Sequence, residues 1–311
     1  MQEKTDHTGL GCVPKVALLI VYFMPDDSTE WIFHEQLRML DKLSYPNFCL
    51  YACVKRLPAG HRQVLSRKPY AILPELEENT FSGSEEHGDY LDQMTRIARA
   101  DGADYIATLD MDSWPIVPDL FEQTLSMLED REARLAAVFR AENGDSYLPH
   151  PCYLLAEANL FEYPTSLFCP DKRLYDSARM AQFLDNTGQA VDTGLGLAMT
   201  LWEHHLDWIR LLRTNKTDHH YMLGGVYADL IFHLGGSTRS ILVMRGDGMT
   251  WARSLTAFMS FLPFVWKYRS RVFHFLERIW EPGASRRNRK LLFTMRDEIQ
   301  RDGDEFYRSL Q

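Results

Sequence analysis

The run Val16-Ala17-Leu18-Leu19-Ile20-Val21-Tyr22-Phe23 is apolar without a break and stops at Met24-Pro25-Asp26-Asp27-Ser28. A strand with one wet face would alternate apolar and polar residues. An uninterrupted run of this length reads instead as a strand buried on both faces. Residues 29–43 then set Trp31, Phe33, Leu37 and Leu40 among charges at helical spacing, and a second strand is expected at Phe48–Val54, between Pro46 and Pro58. This β-α-β opening predicts a parallel sheet with crossover helices. A polar loop from Glu75 to Gly88 leads to a helix over Asp89–Ala100, which Gly102 ends. A short buried strand, Tyr105–Leu109, runs directly into Asp110-Met111-Asp112-Ser113-Trp114-Pro115, and a helix near Pro118–Leu128 and a strand at Arg134–Phe139 continue the alternation.

The second half is less regular. His150-Pro151 and a loop with Cys169-Pro170 precede Asp192-Thr193-Gly194, which opens a helical stretch expected over 195–213. The last apolar strand leads into Phe232-His233-Leu234-Gly235-Gly236-Ser237-Thr238-Arg239, and from Trp251 the chain is aromatic, basic and mostly helical, with a break at Gly283. The expected organisation is an extended segment over 1–13, an α/β domain over 14–250 (halves 14–140 and 141–250) and a helical extension over 251–311.

Composition adds constraints. The formal net charge is −9, yet residues 251–311 carry 12 Lys+Arg against 7 Asp+Glu, leaving 22 against 36 for the first 250. An acidic body argues against general nucleic-acid binding, which needs clustered cations. The basic tail suits an anionic surface: Leu255–Trp266 is apolar but too short to span a membrane, Pro263 interrupts it, and Lys267, Arg269 and Arg271 follow. Peripheral membrane contact through 251–290, packing on the domain and homodimerisation are all open to such a segment. Five cysteines without a CxxC pair fit a reducing cytoplasm, and the polar N-terminus lacks the apolar stretch of a signal peptide.

The most informative chemistry is Asp110-x-Asp112. Ligands of open α/β sheets gather beyond the carboxyl ends of the strands. Two carboxylates one residue apart, just past a buried strand, can converge on a hard cation that keeps positions open for phosphate oxygens. An acidic turn after a strand would look the same, because Asp bonds its own backbone there.

With its upstream helix, the run Ala103-Asp104-Tyr105-Ile106-Ala107-Thr108-Leu109-Asp110-Met111-Asp112-Ser113 resembles the metal-binding region of GT-A glycosyltransferases, most of all the family-2-type enzymes. His87-Gly88, Asp192-Thr193-Gly194 and the segment 232–239 are similar to further segments of bacterial members, so that the resemblance covers about residues 14–240. It implies a GT-A, Rossmann-like, mostly parallel sheet flanked by helices. It also implies metal-dependent transfer of a sugar from a nucleoside-diphosphate donor, UDP first among the bases, to a glycan or lipid-linked glycan, with inversion. Asp110 would contact the donor ribose or a metal-bound water, Asp112 would ligate Mn²⁺ or Mg²⁺, and His233 would be a third ligand. His87 would belong to the donor-site loop, and Arg239 would clamp the diphosphate.

Asp192 is the candidate base, though Asp before a helix is also an N-cap; Asp176, Asp185 and Asp229 are alternatives. The second strand ends in Cys53-Val54-Lys55-Arg56 where these enzymes often place an acidic residue near the nucleobase of the donor, and Asp26 and Asp27 of the first loop are offered instead. Tyr22 or Phe23 could stack on that base or belong to the core. The adjacent pairs His204-His205 and His219-His220 point different ways and read as surface residues. Two other readings are a haloacid-dehalogenase-type phosphohydrolase and a non-catalytic sugar-nucleotide-binding scaffold. The first is disfavoured because at least two strands precede the acidic pair and Trp114 follows it.

Overall fold

The structure is a computed structural model that describes residues 13–236 and 269–311, with the side chains of the latter segment described from 283 onward. Leu255–Trp266, Arg239 and Cys12 lie outside the described residues. Among the described residues no helix is long and apolar enough to cross a membrane.

The expected α/β class holds. A seven-stranded sheet has the order β3-β2-β1-β4-β7-β6-β8, with β1 at Val16–Phe23, β2 at Phe48–Arg56, β3 at Ala71–Ile72 and β4 at Tyr105–Asp110. Beyond these lie β6 at Leu135–Val138, β7 at His150–Glu157 and β8 at Ile209–Leu211. All strands share one direction except β7, which is antiparallel to both neighbours. Leu18, Leu19 and Ile20 are fully buried, as a strand covered on both faces requires. Helices α1 (Glu30–Leu40), α2 (Ala59–Ser66), α3 (Ser84–Ala100) and α4 (Leu120–Asp130) connect these strands. Phe33, Leu37 and Leu40 of α1 are buried, as the spacing predicts.

Several expectations need correction. Helix α3 starts at Ser84, five residues inside the expected loop, and α2 lies where no helix was expected. The stretch 195–213 is not one helix. After α5 (Ser177–Thr187), α6 covers only Leu195–Glu203, His205 turns out at φ 51°, and residues 209–211 join the sheet as β8. A residue with Cβ pays a steric penalty at positive φ and cannot continue a helix there. Gly283 marks no break, because α7 runs through it over Arg269–Leu310; the non-helical residue is Asp302 instead. One glycine inside a long helix costs about 1 kcal/mol, which packing outweighs. The strand before His233 is β10 (Ile231–His233), and it belongs to a separate antiparallel sheet with β5 (Ser113–Pro115) and β9 (Gly225–Tyr227).

Helix α7 packs behind this small sheet. Trp114 Nε1 donates to the Tyr307 hydroxyl at 2.7 Å, and that hydroxyl donates to Glu35 Oε1 at 2.9 Å. Phe232 packs between Trp114 and Tyr307, with ring centroids 5.1 and 5.3 Å away. Tyr307→Phe would leave a buried indole N–H without an acceptor, so we expect a loss of about 1–3 kcal/mol in urea unfolding. A loss under about 0.5 kcal/mol would show that the three groups do not act as one chain.

Candidate active site

The parallel strands end level with one another, since Val21 of β1 pairs with Cys53 of β2 and with Asp110 of β4. Above these ends opens a cavity of about 400 Å³, lined among others by Tyr22, Arg56, His87, Asp110, Asp112 and Arg140. Its position is the one that open α/β sheets use for ligands.

The acidic pair is held from both sides. Gln36, fully buried on α1, donates through Nε2 to the carbonyls of Asp110 (2.8 Å) and Ser113 (2.6 Å), which pins the turn from beneath. Strand β10 pairs antiparallel with β5, His233 opposite Ser113, and Leu234 N donates to Asp112 O at 2.9 Å. That register brings His233 Nε2 to 3.5 Å from Asp112 Oδ1. One ligand atom from each of Asp110, Asp112 and His233 lies within 4.8 Å of the other two.

The electrostatics fit a cation. Asp110 Oδ1 is buried without a hydrogen-bond partner, its nearest basic neighbour being His87 Nε2 at 3.6 Å. Burial raises the Asp110 carboxyl above its ordinary range, with His87 working against the shift and the Asp112 carboxylate adding to it. For His233, burial opposes protonation, but interactions with Cys152 and the Asp112 carboxylate, by charge and by hydrogen bond, outweigh it and shift the imidazole well above its usual value. Two crowded carboxylates and one imidazole, with an orphaned oxygen among them, are a donor set that Mn²⁺ or Mg²⁺ would satisfy.

Of the other expected residues, Tyr22, His87 and Asp192 share the cavity with Asp110, Asp112 and His233, and Asp26 does not. Tyr22 and His87 line the cavity, and Tyr22 is also almost completely buried. Asp26 is exposed and does not line it; its carboxylate accepts from Ser28 N at 2.9 Å and caps a short 3₁₀ turn. Arg239 lies outside the described residues. Asp192 lines the cavity, with Oδ1 accepting from Ser84 Oγ and Thr193 N at 2.8 Å each. It does not cap α6, whose N-cap is Gly194. Among the alternatives, Asp176 caps α5, Asp185 and Asp229 are exposed, and none of the three lines the cavity.

Sequence reasoning missed Arg140, two residues beyond β6. Its side chain is 14% exposed, Nε donates to Asp145 Oδ2 at 3.0 Å and Nη2 lies 3.7 Å from Asp192 Oδ2. Nη2 makes no hydrogen bond, although it is buried at the cavity wall. A cation just past an apolar strand was the available signal. Lys55 and Arg56, read above as a departure from a pattern, also line the cavity, and Arg56 pairs with Glu86 at 2.8 Å.

His150 begins β7, and because that strand is antiparallel its start lies at the cavity, where the ring stacks on His233 with centroids 6.2 Å apart. The two glycines serve different ends. A Cβ on Gly88 of α3 would stand 2.5 Å from Cys169 Cα, so glycine lets that helix meet the 168–169 backbone. There Asp92 accepts from Phe168 N (2.7 Å) and Cys169 N (3.0 Å), while burial pushes its carboxyl up to about 7. Gly235, at φ 81°, packs against the carbonyl of Met222.

No protein-family model and no curated protein matches the sequence. Among solved structures, the chain is similar to a mannosyltransferase from Pyrobaculum calidifontis in complex with GDP-Man and Mn²⁺. The identity is 13% and the TM-score 0.41, over 64% of this chain and 55% of that one. It is similar to mouse xyloside xylosyltransferase 1, at 13% identity and a TM-score of 0.37, over 64% and 84% of the two chains. It is also similar to CMP:2-keto-3-deoxy-manno-octonic acid synthetase complexed with CTP, at 12% identity and a TM-score of 0.37, over 64% and 89%. The match spans about half the length of the mannosyltransferase chain. At these scores the likenesses say nothing about the reaction.

Proposed function

We propose that the chain is a metal-dependent glycosyltransferase of GT-A type that moves a sugar from a nucleoside-diphosphate donor to a glycan or glycoconjugate hydroxyl, with inversion. The observation that carries this reading is the convergence of Asp110, Asp112 and His233 at the carboxyl ends of the parallel strands. Around them the wall carries the cations Lys55, Arg56 and Arg140 together with the carboxylates of Glu86 and Asp192. Carboxylates would repel a diphosphate by themselves. Asp110, Asp112 and His233 would hold a divalent cation, which would supply positive charge to bind the diphosphate and stabilise it as a leaving group.

The other tasks fall to this chain's own side chains. The unsatisfied Arg140 Nη2 meets an anionic oxygen, and a guanidinium presents its donors in a fixed fork suited to phosphate. His87 stands over Asp110 and favours its ionised form. Asp192, oriented by Ser84 and Thr193, takes the proton of the acceptor hydroxyl as that oxygen attacks. The test is calorimetric titration of UDP, GDP and dTDP with and without Mn²⁺. We expect one nucleotide, UDP first, to bind at least about tenfold more tightly with the metal. Failure of all three to bind the folded protein would sink the reading. Metal-dependent binding with no transfer to any acceptor would leave a sugar-nucleotide-binding scaffold.

A further inference from the structure

A second set of ligating side chains stands apart from the cavity. Glu30 and His34 lie one turn apart on α1, and His61 faces them from α2. One ligand atom from each lies within 4.8 Å of the other two. His61 Nε2 is 3.1 Å from Glu30 Oε1, and His34 Nε2 is 3.5 Å from that same oxygen. We propose that Glu30, His34 and His61 bind a zinc-class divalent transition-metal ion, with water in the fourth position.

Three observations carry the proposal. Both imidazoles aim Nε2 at a single carboxylate oxygen, Glu30 Oε1. With metal–ligand bonds of about 2.0–2.2 Å, the ligand atoms of a tetrahedral site stand about 3.3–3.6 Å apart; the His34 separation of 3.5 Å falls in that range and the His61 separation of 3.1 Å just short of it. The rings are also placed by packing: Phe33 meets His61 edge-on at 5.1 Å and 87°, and His34 at 5.4 Å and 72°. Two imidazoles and a carboxylate form a borderline donor set suited to zinc, whereas the two carboxylates of the cavity suit harder ions. Glu30 and His34 are about half exposed, so an ion has access from solvent. Once seated, it ties together the segments that follow β1 and β2, whose last residues, Phe23 and Arg56, line the cavity.

The experiment is equilibrium dialysis of the full chain, stripped with chelator, against Zn²⁺, with Co²⁺ absorption reporting coordination number. The proteins are wild type, His34→Gln, His61→Gln and Asp112→Ala. His34 is the safer variant for folding, being an exposed helix residue. We expect both histidine variants to lose one Zn²⁺ equivalent, or to hold it at least about tenfold more weakly, together with the four-coordinate Co²⁺ bands. Asp112→Ala should keep that equivalent and those bands. Unchanged zinc binding in either histidine variant would overturn the proposal, since both rings must act on one ion. Loss of the same equivalent in Asp112→Ala would overturn it too, by assigning the ion to the cavity. None of these readouts depends on sugar transfer.

Discussion

Replacing Asp112 with alanine is expected to lower sugar transfer by about a thousandfold or more, in a protein that still folds. Asp112 is only 6% exposed, and its carboxylate is the group toward which His233 turns. Without it, Asp110 and His233 no longer enclose a cation position, and the charge compensation for a departing diphosphate is lost. Compensation of that kind is worth several kcal/mol in a transition state, and about 4 kcal/mol is a thousandfold in rate. Folding should survive, because the removed carboxylate also crowds Asp110. Initial rates at saturating donor and Mn²⁺ measure the effect, with Asp112→Asn as the variant that keeps the shape. A rate within about tenfold of wild type would remove the acidic pair from the chemistry.

Arg140→Ala should weaken nucleotide binding by about 10- to 100-fold and cost about 3–5 kcal/mol of stability. The second effect arises because the Asp145 side chain, 7% exposed, loses its guanidinium, and an uncompensated buried charge is expensive. Arg140→Lys separates the two roles. It keeps the positive charge near Asp145 but not the planar fork, so most of the stability should return and most of the affinity should not. Calorimetry and urea unfolding on the same preparations give both numbers. Nucleotide affinity equal to wild type in Arg140→Lys would make Arg140 a structural cation only.

The parallel half of the sheet was legible because strands covered on both faces are mostly continuous apolar runs; β1 is one, and β4 is one but for Thr108 and its terminal Asp110. Strand β7 was not. Its apolar residues follow His150-Pro151, and nothing in a sequence marks a strand as antiparallel when its partners come from distant segments. The same holds for β8, three residues whose apolar spacing reads as a continuation of α6, although His205 turns the chain out between them. Asp110 and Asp112 were readable because only Met111 separates them in the chain. Gln36 was not, being one polar residue on an amphipathic helix whose burial depends on the strand it meets. Arg140 was hidden for a related reason, since its partner Asp192 lies on another loop. The cluster of Glu30, His34 and His61 shows only its i,i+4 half in the sequence, and α2 supplies the rest.

The bond from Trp114 to Tyr307 joins residues 193 positions apart. Contacts so distant in sequence form late, because the chain between them must be closed first. During synthesis β1, β2 and β4 can pair long before residue 307 leaves the ribosome. The strand that follows Asp112 must until then keep its tryptophan and Phe232 without the cover of Tyr307. The cavity thus acquires its backing after its walls, and a nascent chain would expose an apolar face directly behind the acidic pair. Such a face is what chaperones bind and what aggregation begins from.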